Sequence, residues 1–399
     1  MLINTKVKIL HKRILFTLFI LSIYILGSNI SIIGDNQVKK NEDHFLKLAI
    51  SNVGGDLSIL NVFSLGLGPW LTAMIILMIF NYRDVDNVIK QTRLEKQIKE
   101  RVLTISISLI QSYYVINNYI SYNIIKEVSF IIILLILLTG TMLLVWLAEQ
   151  NTIYGIAGPM PIVLMSLIKS LFQQQFQSIQ LSNTLIIIMI SLVIALIILL
   201  YIELSEYRLY YYDILNIPTQ KDNSYISWKL NPSGSISIML TLSLFLLLNN
   251  LSNLFLGTFF NNIHISFFSF DNPIGITIYI IMQIILGYLF SRFLINTKRK
   301  SKLFLKNGNY FINIEPGKAT DEYLNIKARR ICWFGSIVIG IILAVPLYSS
   351  LLIPELSKEI YFSIQLIILI YISITIIETI RTYLYFDSYK SILNKYLEE

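Results

Sequence analysis

The chain has 399 residues, of which 55% are hydrophobic and only 14% charged. A soluble protein of this size needs more polar surface, and a disordered chain has far less apolar content, so both classes are excluded. One cysteine rules out an internal disulfide framework, three scattered histidines speak against a His-built metal centre, and the net charge of +8 matters through its placement.

A polytopic membrane protein remains. Crossing the hydrocarbon of a bilayer takes about 20 helical residues. Apolar runs of that order lie at 14–33, 64–81, 102–121, 128–148, 159–176, 182–204, 235–256, 273–295, 331–350 and 360–380. The first follows Lys6, Lys8, Lys12 and Arg13, as in a signal peptide. It is too long for one and lacks a small-residue cleavage site, so it is read as a span. The fifth is the weakest. It carries Lys169 and opens with Pro159 and Pro161, which the first turn of a helix tolerates. Ten spans put both termini on one side. That side then holds 25 of the 32 Lys and Arg residues and the other side five, which makes the termini cytoplasmic under the positive-inside rule. Ten also divides into five and five, so the second half enters the membrane inverted relative to the first.

Taken in chain order, the segments between spans are not all plain connectors. In the external segment 34–63, Phe45, Leu46, Leu48, Ala49 and Ile50 form a short apolar helix ended by Gly54-Gly55. It is too short to span. Two readings stay open: a helix lying on the outer leaflet, or an element folded back into a cavity. Helix-weakening residues then open three spans: Gly66, Gly68 and Pro69 in the second, the run 155–161 in the fifth, and Pro232 with Gly234 in the seventh. Arg292 is expected to snorkel to the cytoplasmic interface. The cytoplasmic loop 298–330 carries nine basic residues, and Tyr310, Phe311 and Ile312 precede a turn at Glu315-Pro316-Gly317. Its basic clusters anchor the neighbouring spans on anionic lipid. Its apolar middle reads as a docking surface for a soluble partner. Glu378 is expected to pair locally with Arg381.

Catalytic chemistry is missing from the sequence. There is no HExxH, no GxSxG and no paired-His spacing, and the PGKAT run at 316–320 lacks the upstream glycine and the Ser or Thr of a phosphate loop. No cofactor, metal site or nucleic-acid partner is expected, and the protein is not read as an enzyme. Cys332 is a bland interfacial thiol. No chain of carboxylates crosses the membrane midplane, which argues against an ion-coupled carrier. A small-solute or lipid-linked transporter, with the breaks at 66–69 and 155–161 as its binding site, is the alternative class.

Five motifs lie in order along the chain: LGLGPWLTAMI (65–75), GTMLLVWLAEQNTIYGIAG (140–158), WKLNPSGSI (228–236), EPGKATDEYLNIKARR (315–330) and YKSIL (389–393). Together they resemble the SecY family of protein-conducting channels. The compact segment 205–232 and the GPMPIV start of the fifth span depart from the housekeeping form and resemble the accessory SecY of Gram-positive cocci. A housekeeping-type SecY of general secretion is the rival reading.

The resemblance implies an all-α fold of ten transmembrane helices, in two inverted five-helix halves (1–177 and 178–399) around a central pore in the plasma membrane. It implies export of serine-rich repeat glycoprotein adhesins, driven by the accessory SecA ATPase with other accessory secretion proteins, and leaves room for a small SecE-like subunit. Segment 43–56 would be the plug, with Phe45, Leu46, Leu48, Ile50, Gly54 and Gly55. The apolar pore ring would comprise Leu67, Leu71, Leu164, Ile168, Ile236, Met239 and Ile368. The seam between spans two–three and seven–eight would be the lateral gate. Arg299, Lys302, Phe311, Lys318, Arg329 and Arg330 would receive the motor.

Overall fold

The computed structural model describes residues 3–32, 44–55, 60–83, 91–121, 130–173, 183–213, 224–259, 268–270, 272–352 and 357–397. Its helices are α1 (Ile3–Asn29), α2 (His44–Ser51), α3 (Gly68–Arg83), α4 (Arg93–Ser121), α5 (Phe130–Tyr154), α6 (Met160–Gln173), α7 (Asn183–Leu204), α8 (Gly234–Phe259), α9 (Pro273–Ile295), α10 (Thr297–Asn307), α11 (Lys318–Leu352) and α12 (Ser357–Leu397). A helix therefore lies at every one of the ten segments expected as spans. By length and composition, six stretches suffice to cross a bilayer: Leu10–Asn29, Phe130–Tyr154, Gly234–Leu254, Pro273–Asn307, Lys318–Leu352 and Glu359–Leu384. Gly68–Phe80, Met160–Gln173 and Ile190–Leu204 are apolar but shorter.

One apolar core runs through the molecule. It takes buried side chains from α1, α2, α3, α5, α6, α7, α8, α9, α11 and α12. Large apolar side chains such as Leu18, Leu135, Trp146, Val193 and Ile197 stay outward and exposed, the pattern of helices whose outer solvent is lipid. α9 and α11 pack most closely because small residues meet there: a Cβ on Gly287 would lie 3.2 Å from Ser336, and one on Gly340 2.8 Å from Ile284.

The structure adds strands that the helical reading did not foresee. β1 (Glu206–Tyr210) pairs antiparallel with β3 (Tyr225–Lys229), with Glu206 opposite Lys229 and Tyr210 opposite Tyr225. β2 (Tyr212–Asp213) pairs with β4 (Asn309–Tyr310). The second pair joins the segment after α7 to the loop after α10. Leu209, Trp228, Ile295, Phe304, Phe311, Leu324, Ala328, Ile331 and Cys332 make a second apolar core beneath them. The loop 298–330 is thus not a free basic loop but a small folded unit. α10 follows α9 after one left-handed residue, Asn296, whose side chain caps it by accepting from the Arg299 N–H at 3.2 Å. α11 rises from this unit and continues without a break through the ninth expected span.

Arg292 reaches out of its span toward the loop 298–330 and donates to Asn325 Oδ1. One expected charge placement is corrected. Glu378 bonds Lys229 of β3 rather than Arg381, since the strand pair brings that lysine against α12.

Candidate functional site

α2 packs inside the helix bundle, with Leu48, Ala49 and Ile50 in the apolar core. The helix ends where Gly54 takes φ +80° and the Gly55 N–H returns to Ile50 O at 3.0 Å. Gly54 and Gly55 rest on Gly66, backbone against backbone. A Cβ on Gly66 would lie 2.3 Å from Gly55 N and 2.6 Å from Gly54 C, and Gly66 itself has φ +60°. Only glycines permit that approach. Three groups then fix the seated backbone. Leu67 N–H donates to Val53 O at 2.8 Å, Tyr24 OH to Gly54 O at 3.0 Å, and Ser166 Oγ to Gly55 O at 2.6 Å. Leu48 and Ile50 point into the core and are buried. Phe45 and Leu46 belong to α2, and their side chains lie outside the described residues.

Next to this seat stand the apolar side chains expected to form a ring. Leu67 and Leu71, one turn apart, are buried, as are Met239 on α8 and Ile368 on α12. Ile236 packs against the same core, half-buried. Ile236, Met239 and Ser243 share a face of α8, and Ser243 Oγ donates to Gly68 O at 2.8 Å, which sets that face against α3. Farther along the same seam, Asn253 Nδ2 donates to Tyr114 OH at 2.9 Å between α8 and α4.

On α6 full burial falls one residue before each of the expected ring positions Leu164 and Ile168. Val163 and Leu167 are fully buried beside the seat, and Val163 Cγ2 would lie 3.7 Å from a Cβ on Gly54. Leu164 instead lines an outer groove, and Ile168 stays half-buried. The cause is the helix period. Ser166 faces Gly55 and Ser170 faces Gln365, so 163, 166, 167 and 170 share the inner face. The signal was present in the sequence as two serines four apart in an apolar run. The outer groove, about 260 Å³ and almost wholly apolar, lies between α1, α6 and α12 and is lined by Leu18, Leu21, Pro161, Leu164, Met165 and Ile376, among others.

On the strand-bearing side, Lys229 joins two carboxylates. Its Nζ lies 2.9 Å from Glu203 Oε1 and also bonds Glu378 Oε2. The Glu203 side chain is only 2% exposed, so its charge depends on this partner. Burial pulls the Lys229 pKa down, but Glu203 and Glu378 outweigh it and leave it raised above 10.5. Tyr371 OH, bonded by Asn231 Nδ2, closes the cluster from α12. Arg299, Lys302, Lys318, Arg329 and Arg330 are all exposed on the folded unit around α10. Phe311 is not: it is 4% exposed, with ring contacts to Phe304 at 5.4 Å and Tyr323 at 5.2 Å. Its expected place on a docking surface is corrected to the core of the unit. Tyr310 and Ile312 beside it are exposed, as are Leu303, Leu305 and Ile326 on the same unit.

Comparison with known proteins matches this arrangement. The SecY family model covers residues 61–377. The accessory Sec system protein translocase subunit SecY2 of Staphylococcus haemolyticus (strain JCSC1435) is 64% identical over 391 residues, covering 98% of each chain. The same subunit of Staphylococcus epidermidis (strain ATCC 12228 / FDA PCI 1200) is 59% identical over 392 residues, again covering 98% of each. Among solved structures, one titled "The structure of a protein conducting channel" superposes with a TM-score of 0.67 at 14% identity, covering 94% of this chain and 92% of that one. Another concerns the plug domain of a SecY protein, with a TM-score of 0.65 at 15% identity, covering 94% of this chain and 92% of that one. A family match over most of the chain, and relatives this similar along nearly its whole length, lead to one conclusion: the chain belongs to the SecY family and resembles its accessory SecY2 members.

Proposed function

We propose that this chain is the channel subunit through which an accessory Sec translocase exports serine-rich repeat glycoprotein adhesins across the plasma membrane, driven by the accessory SecA ATPase. The observation that carries the reading is that Leu67, Leu71, Val163, Leu167, Met239 and Ile368 are buried in one apolar core with Leu48 and Ile50 of α2, and we read these six as a closed collar. A ring of bulky, flexible apolar side chains leaves no continuous water path at rest, because hydrophobic constrictions dewet. Around a moving chain it deforms and keeps contact. Leu, Ile, Val and Met offer no fixed polar site at which a passing peptide would stall.

The other assignments follow from the same reading. Segment 43–56 is the plug. The seam of α3 and α4 with α8 and α9, closed by Ser243 against α3 and by Asn253 with Tyr114 of α4, is the lateral gate. The termini and the folded unit around α10 face the cytoplasm, where Arg299, Lys302, Lys318, Arg329 and Arg330 meet the motor. A small SecE-like subunit fills the groove between α1, α6 and α12. The channel itself catalyses nothing, so its energy comes from the ATPase.

The test is reconstitution. Proteoliposomes holding this chain and its copurifying small subunits are supplied with ATP, a serine-rich cargo and either the accessory or the housekeeping SecA. Cargo protected from protease with the accessory ATPase alone is the expected result. Protection with the housekeeping ATPase alone would return the chain to general secretion.

A further inference from the structure

The plug segment is held in two ways, and the two holds belong to different halves of the molecule. Its carboxyl end is gripped by backbone. Val53 O, Gly54 O and Gly55 O accept from Leu67 N, Tyr24 OH and Ser166 Oγ, all on the N-terminal half. The helix itself is held from the opposite half. Gln365 of α12 is 1% exposed, and its Nε2 lies 3.4 Å from Ser51 Oγ at the last position of α2. The same Nε2 lies 3.3 Å from Ser170 Oγ of α6. One amide therefore spans the plug, the N-terminal half and the C-terminal half. It stands one turn from Ile368, inside the core.

We propose that Gln365 is the latch of the plug, while Gly54–Gly55 on Gly66, with Tyr24 and Ser166, is a seat that stays attached when the channel opens. The proposal rests on reading α2 as the plug. Its physical basis is what each bond loses when the halves part. Gln365 rides on α12, so separation of the halves stretches both of its bonds together. Tyr24, Leu67 and Ser166 ride with the body on which Gly54 and Gly55 lie, so the same motion leaves their bonds intact. A bond present in both states shifts no equilibrium between them, however short it is. A bond lost on opening does shift it, even when long. The seat bonds are the shorter ones, yet the longer Gln365 pair is what sets the resting state.

Single-channel recording in planar bilayers tests this, using the full chain with its copurifying subunits and no cargo. The variants are Gln365→Leu alone and with Ser51→Ala, Tyr24→Phe, Ser166→Ala and a deletion of residues 44–52. Gln365→Leu removes both latch bonds while keeping apolar bulk. It is expected to raise the frequency of spontaneous opening about tenfold, as loss of a net contribution near that of one ordinary hydrogen bond would. Ser51→Ala in the Gln365→Leu background should add little. Tyr24→Phe and Ser166→Ala should stay within about twofold of the parent, as bonds kept in both states require. Equal increases in all three single variants would overturn the division into latch and seat. A quiet Gln365→Leu channel, with the parent's melting temperature, would overturn the latch while a leaky deletion upheld the plug. A deletion that does not leak would remove the plug reading itself, and the latch with it.

Discussion

At the scale of single residues, a few side chains are fixed by what their neighbours forbid. Gly66 is one. Any Cβ there meets the backbone of Gly54 and Gly55, and φ +60° adds about 1–2 kcal/mol of left-handed strain for a non-glycine residue. Gly66→Ala should therefore lower the melting temperature of the purified protein clearly. Gly68→Ala, whose Cβ would sit 3.3 Å from a Val53 methyl, should lower it far less. Equal drops would mean that the seat is not the strained contact. The Lys229 cluster makes a second residue-scale claim. Lys229→Met leaves Glu203 buried without its cation. Breaking a buried pair costs about 3–5 kcal/mol, and the one-third exposure of Lys229 reduces this to about 2 kcal/mol through solvent screening. Adding Glu203→Gln in that background should recover part of the loss in a thermal melt. On the lysine's side the pair is stable below pH 10.5 and is lost only as pH rises through its raised folded pKa. Neither the cluster nor Gln365 was legible in the sequence. Lys229 and Glu378 are 149 positions apart, and only the strand pair of β1 and β3 shows that they meet.

Among elements, the helices were readable because burial in lipid demands long apolar runs, and composition alone reports those. Their ends were less so. α4 starts at Arg93, nine residues before the apolar run, because polar residues continue a helix once it has been nucleated. α11 likewise begins at Lys318, well outside the expected span. The folded unit around α10 escaped the reading because its strands are two to five residues long and come from segments far apart in sequence. Its core also explains why an aromatic that looked like a docking group is buried. Two variants separate core from surface. Phe311→Ala empties the contact with Phe304 and Tyr323 and should cost about 3–5 kcal/mol, seen as protease sensitivity of this unit. Arg329→Glu with Arg330→Glu changes two exposed charges, so the unit should keep its protease resistance while affinity for the ATPase falls about tenfold or more. Unchanged affinity in a binding titration would move the motor's docking site elsewhere.

For the whole molecule, the distribution of Lys and Arg carried more information than any motif. It required the weak fifth span, and the structure has a helix there, α6. What the distribution cannot give is rotation about a helix axis. On α6 the side chains buried in the core are Val163 and Leu167, while Leu164 and Ile168, which the family resemblance offered for the ring, are half-buried beside them. Ser166 and Ser170 mark the buried face of that helix, and Lys169 lies beside them. The account as a whole stands on the collar being the barrier to ions. The direct measurement is the current through resting membranes holding a Leu67→Ser, Leu71→Ser, Leu167→Ser triple variant, with folding checked by its melting curve. Hydroxyls would wet the constriction, and the resting current should rise about tenfold or more over the parent. A folded triple variant as tight as the parent would contradict the account.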